Sequence, residues 1–202
     1  ADINVSESLR RISGIMVEND QGEGRYVTVR GMNTDLNAMT INGVSMASPE
    51  DRRGVMLDGV PTDMLDSMTV YKTLTPAMDA DTIGGAIDLE TISAFKYDDM
   101  HIRLKAETSY NELTEDSSNP VLSATFTNRF EMDDGELGVA LVLSDQSRRI
   151  VAHNNETGGY GASFPNDDYE MRFYDLTRDR QGLVLNLDYM TDAGSTFYAH
   201  FF

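Results

Sequence analysis

Residues 101–110 read HIRLKAETSY. Ile102, Leu104, Ala106, Thr108 and Tyr110 fall on one face, and His101, Arg103, Lys105, Glu107 and Ser109 on the other. Such alternation is the period of a strand with two unlike faces. It recurs downstream. In LSATFTNRF (122–130), Leu122, Ala124, Phe126 and Phe130 oppose Ser123, Thr125, Thr127 and Arg129. LGVALVLSDQS (137–147) repeats it less cleanly, with Leu137, Val139, Leu141 and Leu143 on one face. LVLNLDY (183–189) sets Leu183, Leu185, Leu187 and Tyr189 against Val184, Asn186 and Asp188, and STFYAHFF (195–202) begins a further strand.

The connections differ in length. EMDDGE (131–136) and MTDAGS (190–195) are tight, NELTEDSSNP (111–120) is longer, and AHNNETGGYGASFPNDDYE (152–170) is long, polar and Gly-rich. Short turns at one end and long loops at the other mark an outer-membrane barrel. Strands ending in Tyr110, Phe130 and Tyr189 fit a lipid-facing band with an aromatic girdle. A soluble β-sandwich also alternates. The charged polar face and the unequal loops favour the barrel. No run of 18 apolar residues occurs, but a barrel strand needs only about 9–11 residues.

Residues 1–97 read differently, as a small α/β unit. Val5, Leu9 and Ile12 share one face of a short helix, capped by Asn4 or Ser6 and ended by Gly14. RYVTVRGMN (25–33) is a strand closed by Gly31, and AMTINGVSM (38–46) is a strand pair turning at Asn42-Gly43. PTDMLDSMTVYKTL (61–74) opens as a helical turn capped by Thr62 and becomes a strand around Met68 to Thr73. IGGAIDLET (83–91) is a strand that begins with two glycines, the mark of a bulge or of a close backbone approach. The change of pattern falls near SAFKYDD (93–99), dividing the chain into 1–97 and 98–202.

Sixteen Lys and Arg against 34 Asp and Glu give a formal charge of −18 and argue against nucleic acid as a partner. Without cysteine there is no disulfide and no thiolate metal site. His101, His153 and His200 lack ligand spacing. Asp79 and Asp81 resemble a calcium pair without the rest of an EF-hand loop. No phosphate loop, nucleophile elbow or triad arrangement is present, so an enzyme is not expected and no cofactor is implied. ADINVSESLRR is not a signal peptide, so the chain is expected to be mature, trimmed or a fragment.

Four segments in order, NVSESLRRISGI (4–15), GRYVTVRGMN (24–33), LNAMTINGVSM (36–46) and DMLDSMTVYKTLTPAMDADTIGGAIDLET (63–91), resemble the plug domain of TonB-dependent outer-membrane receptors. YDLTRDRQGLVLNLDY (174–189) and the ETGGYG loop resemble the Xanthomonas–Caulobacter-type subgroup. The resemblance implies a plug inside a barrel of about 22 strands. It implies uptake of a nutrient across the bacterial outer membrane, carbohydrate or iron–siderophore, with a TonB-type energy-coupling partner. The expected fold is therefore an α/β plug of short strands and helices followed by the first, about five, antiparallel strands of an incomplete barrel facing outer-membrane lipid. No energy-coupling segment precedes Asn4, so that contact is expected to lie outside this chain. A soluble β-rich binding or adhesion module is the alternative.

The resemblance also places residues. Arg30 matches an arginine that pairs with barrel glutamates and locks the plug. A second lock position is Lys72, a point charge where a fork is usual. Asn33, Thr34, Asp35 and Asn37, with Ser48, Glu50, Asp51, Arg52 and Arg53, lie in loops that would touch ligand. Gly31, Gly43, Gly84 and Gly85 are structural, the last two letting the strand approach the barrel wall and the other plug strands. No metal site is expected.

Overall fold

A computed structural model describes residues 4–78, 82–117, 119–157 and 169–202. Asn4 caps α1 (Val5–Leu9), its side chain accepting from Glu7 N–H. The helix stops five residues before Gly14, whose φ of +79° instead leads the chain into β1 (Ile15–Asp20). β1 pairs antiparallel with β2 (Glu23–Val29). The strand IMVEND was not expected, because its second half is entirely polar. The turn is Gln21-Gly22, with φ of 52° and 85°, the backbone of a two-residue hairpin.

A second sheet contains β3 (Asn37–Ile41), β4 (Val44–Ser45), β5 (Leu65–Tyr71) and β6 (Gly85–Thr91) in the order β4-β3-β6-β5. β3 and β4 turn at Asn42-Gly43, both at positive φ, as the dipeptide predicts. The helical turn at Thr62–Met64 is a 3-10 turn without a side-chain cap, and β5 begins at once at Leu65 rather than near Met68. Val5, Leu9, Val29, Leu57, Ile87 and Leu89 are completely buried between these elements.

Gly84 and Gly85 are crowded by the first unit itself. A Cβ on Gly85 would lie 2.7 Å from Val29 Cγ1 and 2.9 Å from the Tyr71 carbonyl oxygen; one on Gly84 would collide with Asn37 Oδ1. The close approach expected between this strand and the other strands of its unit is what is seen: β6 comes too close to β2 and β5 for a side chain at Gly85.

Residues 101–201 form one antiparallel meander, β7 (His101–Thr108), β8 (Pro120–Met132), β9 (Gly135–Thr157), β10 (Tyr169–Thr191) and β11 (Thr196–Phe201). β7 and β11 are its two open edges among the described residues. β9 and β10 are 23 residues each, roughly 75 Å at strand rise. They take in 152–157 and 169–170 of the stretch expected to be loop, where the polar composition hides the strand. The two tight turns lie at one end of the sheet.

In the half of the sheet near the tight turns the faces separate; beyond it the outer row turns polar at Asp145, Arg149, Asp175 and Gln181. Ile102, Phe126, Leu141, Leu185 and Phe201 stand side by side across all five strands on the outer face. Leu104 on that face is 78% exposed, whereas Ala140, Val142 and Val184 on the other are completely buried beneath the first unit. No helix among the described residues is long and apolar enough to cross a membrane.

Candidate functional site: a charged seat and a polar groove

The first unit rests on the inner face of the meander in three zones. Near the tight turns, Asn186 Nδ2 donates to Thr91 Oγ1 (2.6 Å) and the Ile92 carbonyl (2.8 Å), and Ser93 Oγ donates to Asp188 Oδ2 (2.9 Å). His200 Nε2 lies 2.7 Å from the other oxygen of Asp188. Gly138 leaves room there for Phe95 and Ala94. In the middle, Met64 and Ile92 pack on Ala140, Val142 and Val184. Gly182 admits the Met64 thioether, which a Cβ would strike.

The third zone is ionic. Glu23, 1% exposed, accepts from Arg148 Nη1 (3.0 Å), Arg178 Nη1 (2.9 Å) and Arg180 Nη2. Arg178 also reaches Asp58 Oδ2 (2.7 Å) and Gln21 Oε1 (2.9 Å). The inward alternation of β9 and β10 brings the three arginines to one place. The Gln21-Gly22 turn, packed on Ile150 and Ala152, delivers Glu23 to them. A carboxylate this buried is tolerable only with such partners, and removing either side leaves bare charge. The arrangement holds position more than it adds net stability.

The expected lock residues lie elsewhere. Arg30, exposed and at φ 54°, donates from Nη2 to the Gly84 carbonyl (2.9 Å), and Lys72 Nζ is 3.3 Å from Ser13 Oγ. Both flank Gly14: Arg30 N–H donates to its carbonyl, and a Cβ on Gly14 would lie 3.9 Å from Lys72 Cε. In the seat observed, the first unit supplies the carboxylate and the wall the arginines, the reverse of the expected polarity. Sequence reading missed Glu23, Asp58, Arg148, Arg178 and Arg180. The R-D-R of 178–180, two cations on one strand face, was the available signal.

The two loops expected to touch ligand do come together. Arg52 Nη2 donates to Thr34 Oγ1, and Arg52 Nε lies 3.5 Å from Asp35 Oδ1, which also accepts from Gly54 N–H (2.8 Å). The Gly54 hydrogen bond, opposed by partial burial and helped by Arg52, holds the Asp35 carboxyl below the usual carboxylate range. Arg52 lies over the Tyr26 ring at 4.2 Å, and Arg25 flanks it at 5.5 Å. Tyr26 OH donates to Glu50, which also pairs with Arg25 at 2.7 Å. Burial, then this bond, raises the Tyr26 pKa. Asn33 Oδ1 accepts from Asp35 N–H, Ser48 Oγ from Glu50 N–H, and Asp51 is exposed. Between the loops is a groove of about 320 Å³ lined by Asn37, Ser45, Met46, Ser48, Arg52 and Arg53. Its amides, hydroxyls and braced guanidiniums suit a polyhydroxylated or anionic solute.

Among the described residues no group of three or more His, Asp or Glu could hold a metal ion. The Asp79 and Asp81 pair lies outside the described residues.

Residues 1–86, a little under half of the chain, match the family model of the TonB-dependent Receptor Plug Domain. Among solved structures, the FrpB iron transporter from Neisseria meningitidis (F3-3 variant) is similar, with TM-score 0.49 and 14% identity over 94% of this chain and 36% of that one. The chain thus spans about a third of that protein's length. No curated protein matches.

Proposed function

We propose that the chain is the plug (1–97) and the first wall strands (98–202) of a receptor that takes up a nutrient across the bacterial outer membrane. One observation carries the reading. A plug-type domain sits, by a buried carboxylate and three arginines, on the polar face of a sheet whose opposite face is apolar and uncovered. An exposed apolar face opposite a polar, occupied one is the arrangement of a barrel wall between lipid and lumen. Open edges at β7 and β11 are intolerable in a bilayer and call for further strands.

The plug then closes the pore at rest, and a TonB-type partner supplies the force that shifts it. The ligand is carbohydrate in preference to iron–siderophore, in keeping with the Xanthomonas–Caulobacter-type resemblance. It is met by Asn33, Thr34, Asp35, Asn37, Ser48, Glu50, Asp51, Arg52 and Arg53. Arg30 and Lys72 hold the plug against strands beyond the five described, adding to the Glu23 seat. To test this, cells of the source are fractionated and blotted with an antibody to residues 4–78. The expected result is an outer-membrane band, heat-modifiable and several times larger than 22.4 kDa. A band that stays in buffer without detergent contradicts the reading and favours a soluble binding module.

A further inference from the structure

A second cavity lies where the plug stands off the wall. About 390 Å³ in volume, it opens between residues 62–66 and 92–97 of the plug and strands β7 and β8. That is within the roughly 300–1,000 Å³ of small-molecule sites. Its wall side is the inward row of β7, His101, Arg103 and Lys105, three basic residues at successive inward positions in a chain of charge −18. The acids of the cavity are already committed. Asp63 pairs with Lys105 (3.1 Å) and Asp66 with Lys96. Among the described residues Arg103 has no ion-pair partner, so one guanidinium is left in excess. Beside it the His101 ring is stacked on Tyr97, centroids 4.3 Å apart and 3° from parallel. Thr125, paired in register with Arg103, brings a hydroxyl. Thr127 Oγ1, opposite His101, is buried without a hydrogen-bond partner.

We propose that this cavity binds the carboxylate of a sugar acid, with Arg103 as its principal anion-binding group. The guanidinium fork takes a carboxylate in two parallel hydrogen bonds. The cavity is far larger than a bare oxyanion needs, and its hydroxyls and flat aromatic surface suit a hydroxylated ring. It is separate from the groove at Arg52: it lies on the wall side, around the tight-turn half of β7 and β8, beneath the plug. Its place on a transport route rests on the reading above, but the binding itself does not.

The test is titration calorimetry on the detergent-solubilised full-length protein with glucuronate and, as the uncharged match, glucose. Glucuronate is expected to bind on the order of tenfold more tightly, the worth of a hydrogen-bonded charge. Arg103→Gln abolishes that preference, Arg103→Lys keeps part of it, and Arg172→Gln, at the end of β10 opposite the tight turns and in neither cavity, leaves it intact. Arg103 is exposed, so these variants keep the fold. Equal affinity for the two sugars overturns the proposal. So does an unchanged preference in Arg103→Gln, or its loss in Arg172→Gln. The outer-membrane location of the protein is read independently by fractionation, so failure of either claim is visible alone.

Discussion

Inside the plug, Val5, Leu9, Val29, Leu57, Ile87 and Leu89 are buried against one another with no charge among them. At its seat on the wall the apolar contact shrinks to Met64, Ile92, Ala140, Val142 and Val184, flanked by Glu23, Arg180, Asn186 and Asp188, all buried. Burial of hydrocarbon is non-directional and cooperative, and suits a body that must stay folded. Hydrogen-bonded charge is directional and is lost once geometry shifts, and suits a contact that must let go. The gate proposed above needs both: a plug that remains one piece and a seat that releases.

The comparison can be broken at its seat with the largest effect. Glu23→Ala strips Arg180 of its carboxylate, leaves Arg178 only Asp58 and Gln21, and weakens seating by about 3–5 kcal/mol. Hydrogen exchange should rise along residues 92–97 while the amides of β3 and β6 stay protected. Leu89→Ala should do the opposite, loosening the plug core by about 2–5 kcal/mol and exposing β3 and β6 first. If the two variants gave the same exchange pattern, plug and seat would be one cooperative unit. On the outer face, Leu141→Arg should lower the yield of heat-modifiable outer-membrane protein, at about 2–4 kcal/mol near the bilayer centre.

The smallest effect concerns pH. The folded Asp35 carboxyl titrates below its ordinary value of 3.8. The stability it contributes is complete above that value and is lost as pH falls through the lower folded one. Loop 48–54 should therefore resist acid-stable protease at pH 5 and become cut only below that window. Asp35→Asn should remove the pH dependence.

What could be read from the sequence follows the range of the forces. Asn42-Gly43 and the Asn4 cap are local, and alternation in 101–110, 122–130 and 183–189 is fixed by one buried and one exposed face. β1 escaped because Glu18, Asn19 and Asp20 hide its period. The upper halves of β9 and β10 escaped because polar strands there resemble loop. The two candidate loops were legible as polar segments, but not their joining through Arg52 and Thr34. The Glu23 seat joins residues 125 to 157 positions apart and has no local signature.

Because the chain has no cysteine, the gate can be tested with a single engineered pair. A Cβ on Gly138 would lie 3.1 Å from that of Ala94, slightly inside the usual disulfide separation of about 3.8 Å, so small shifts there and in the Phe95 ring allow a bridge. Ala94→Cys with Gly138→Cys in the full-length protein joins plug to wall across the seat. Uptake by whole cells is predicted to stop when the bridge forms and to return on reduction. Uptake that continues with the bridge intact would contradict a plug that must leave this wall.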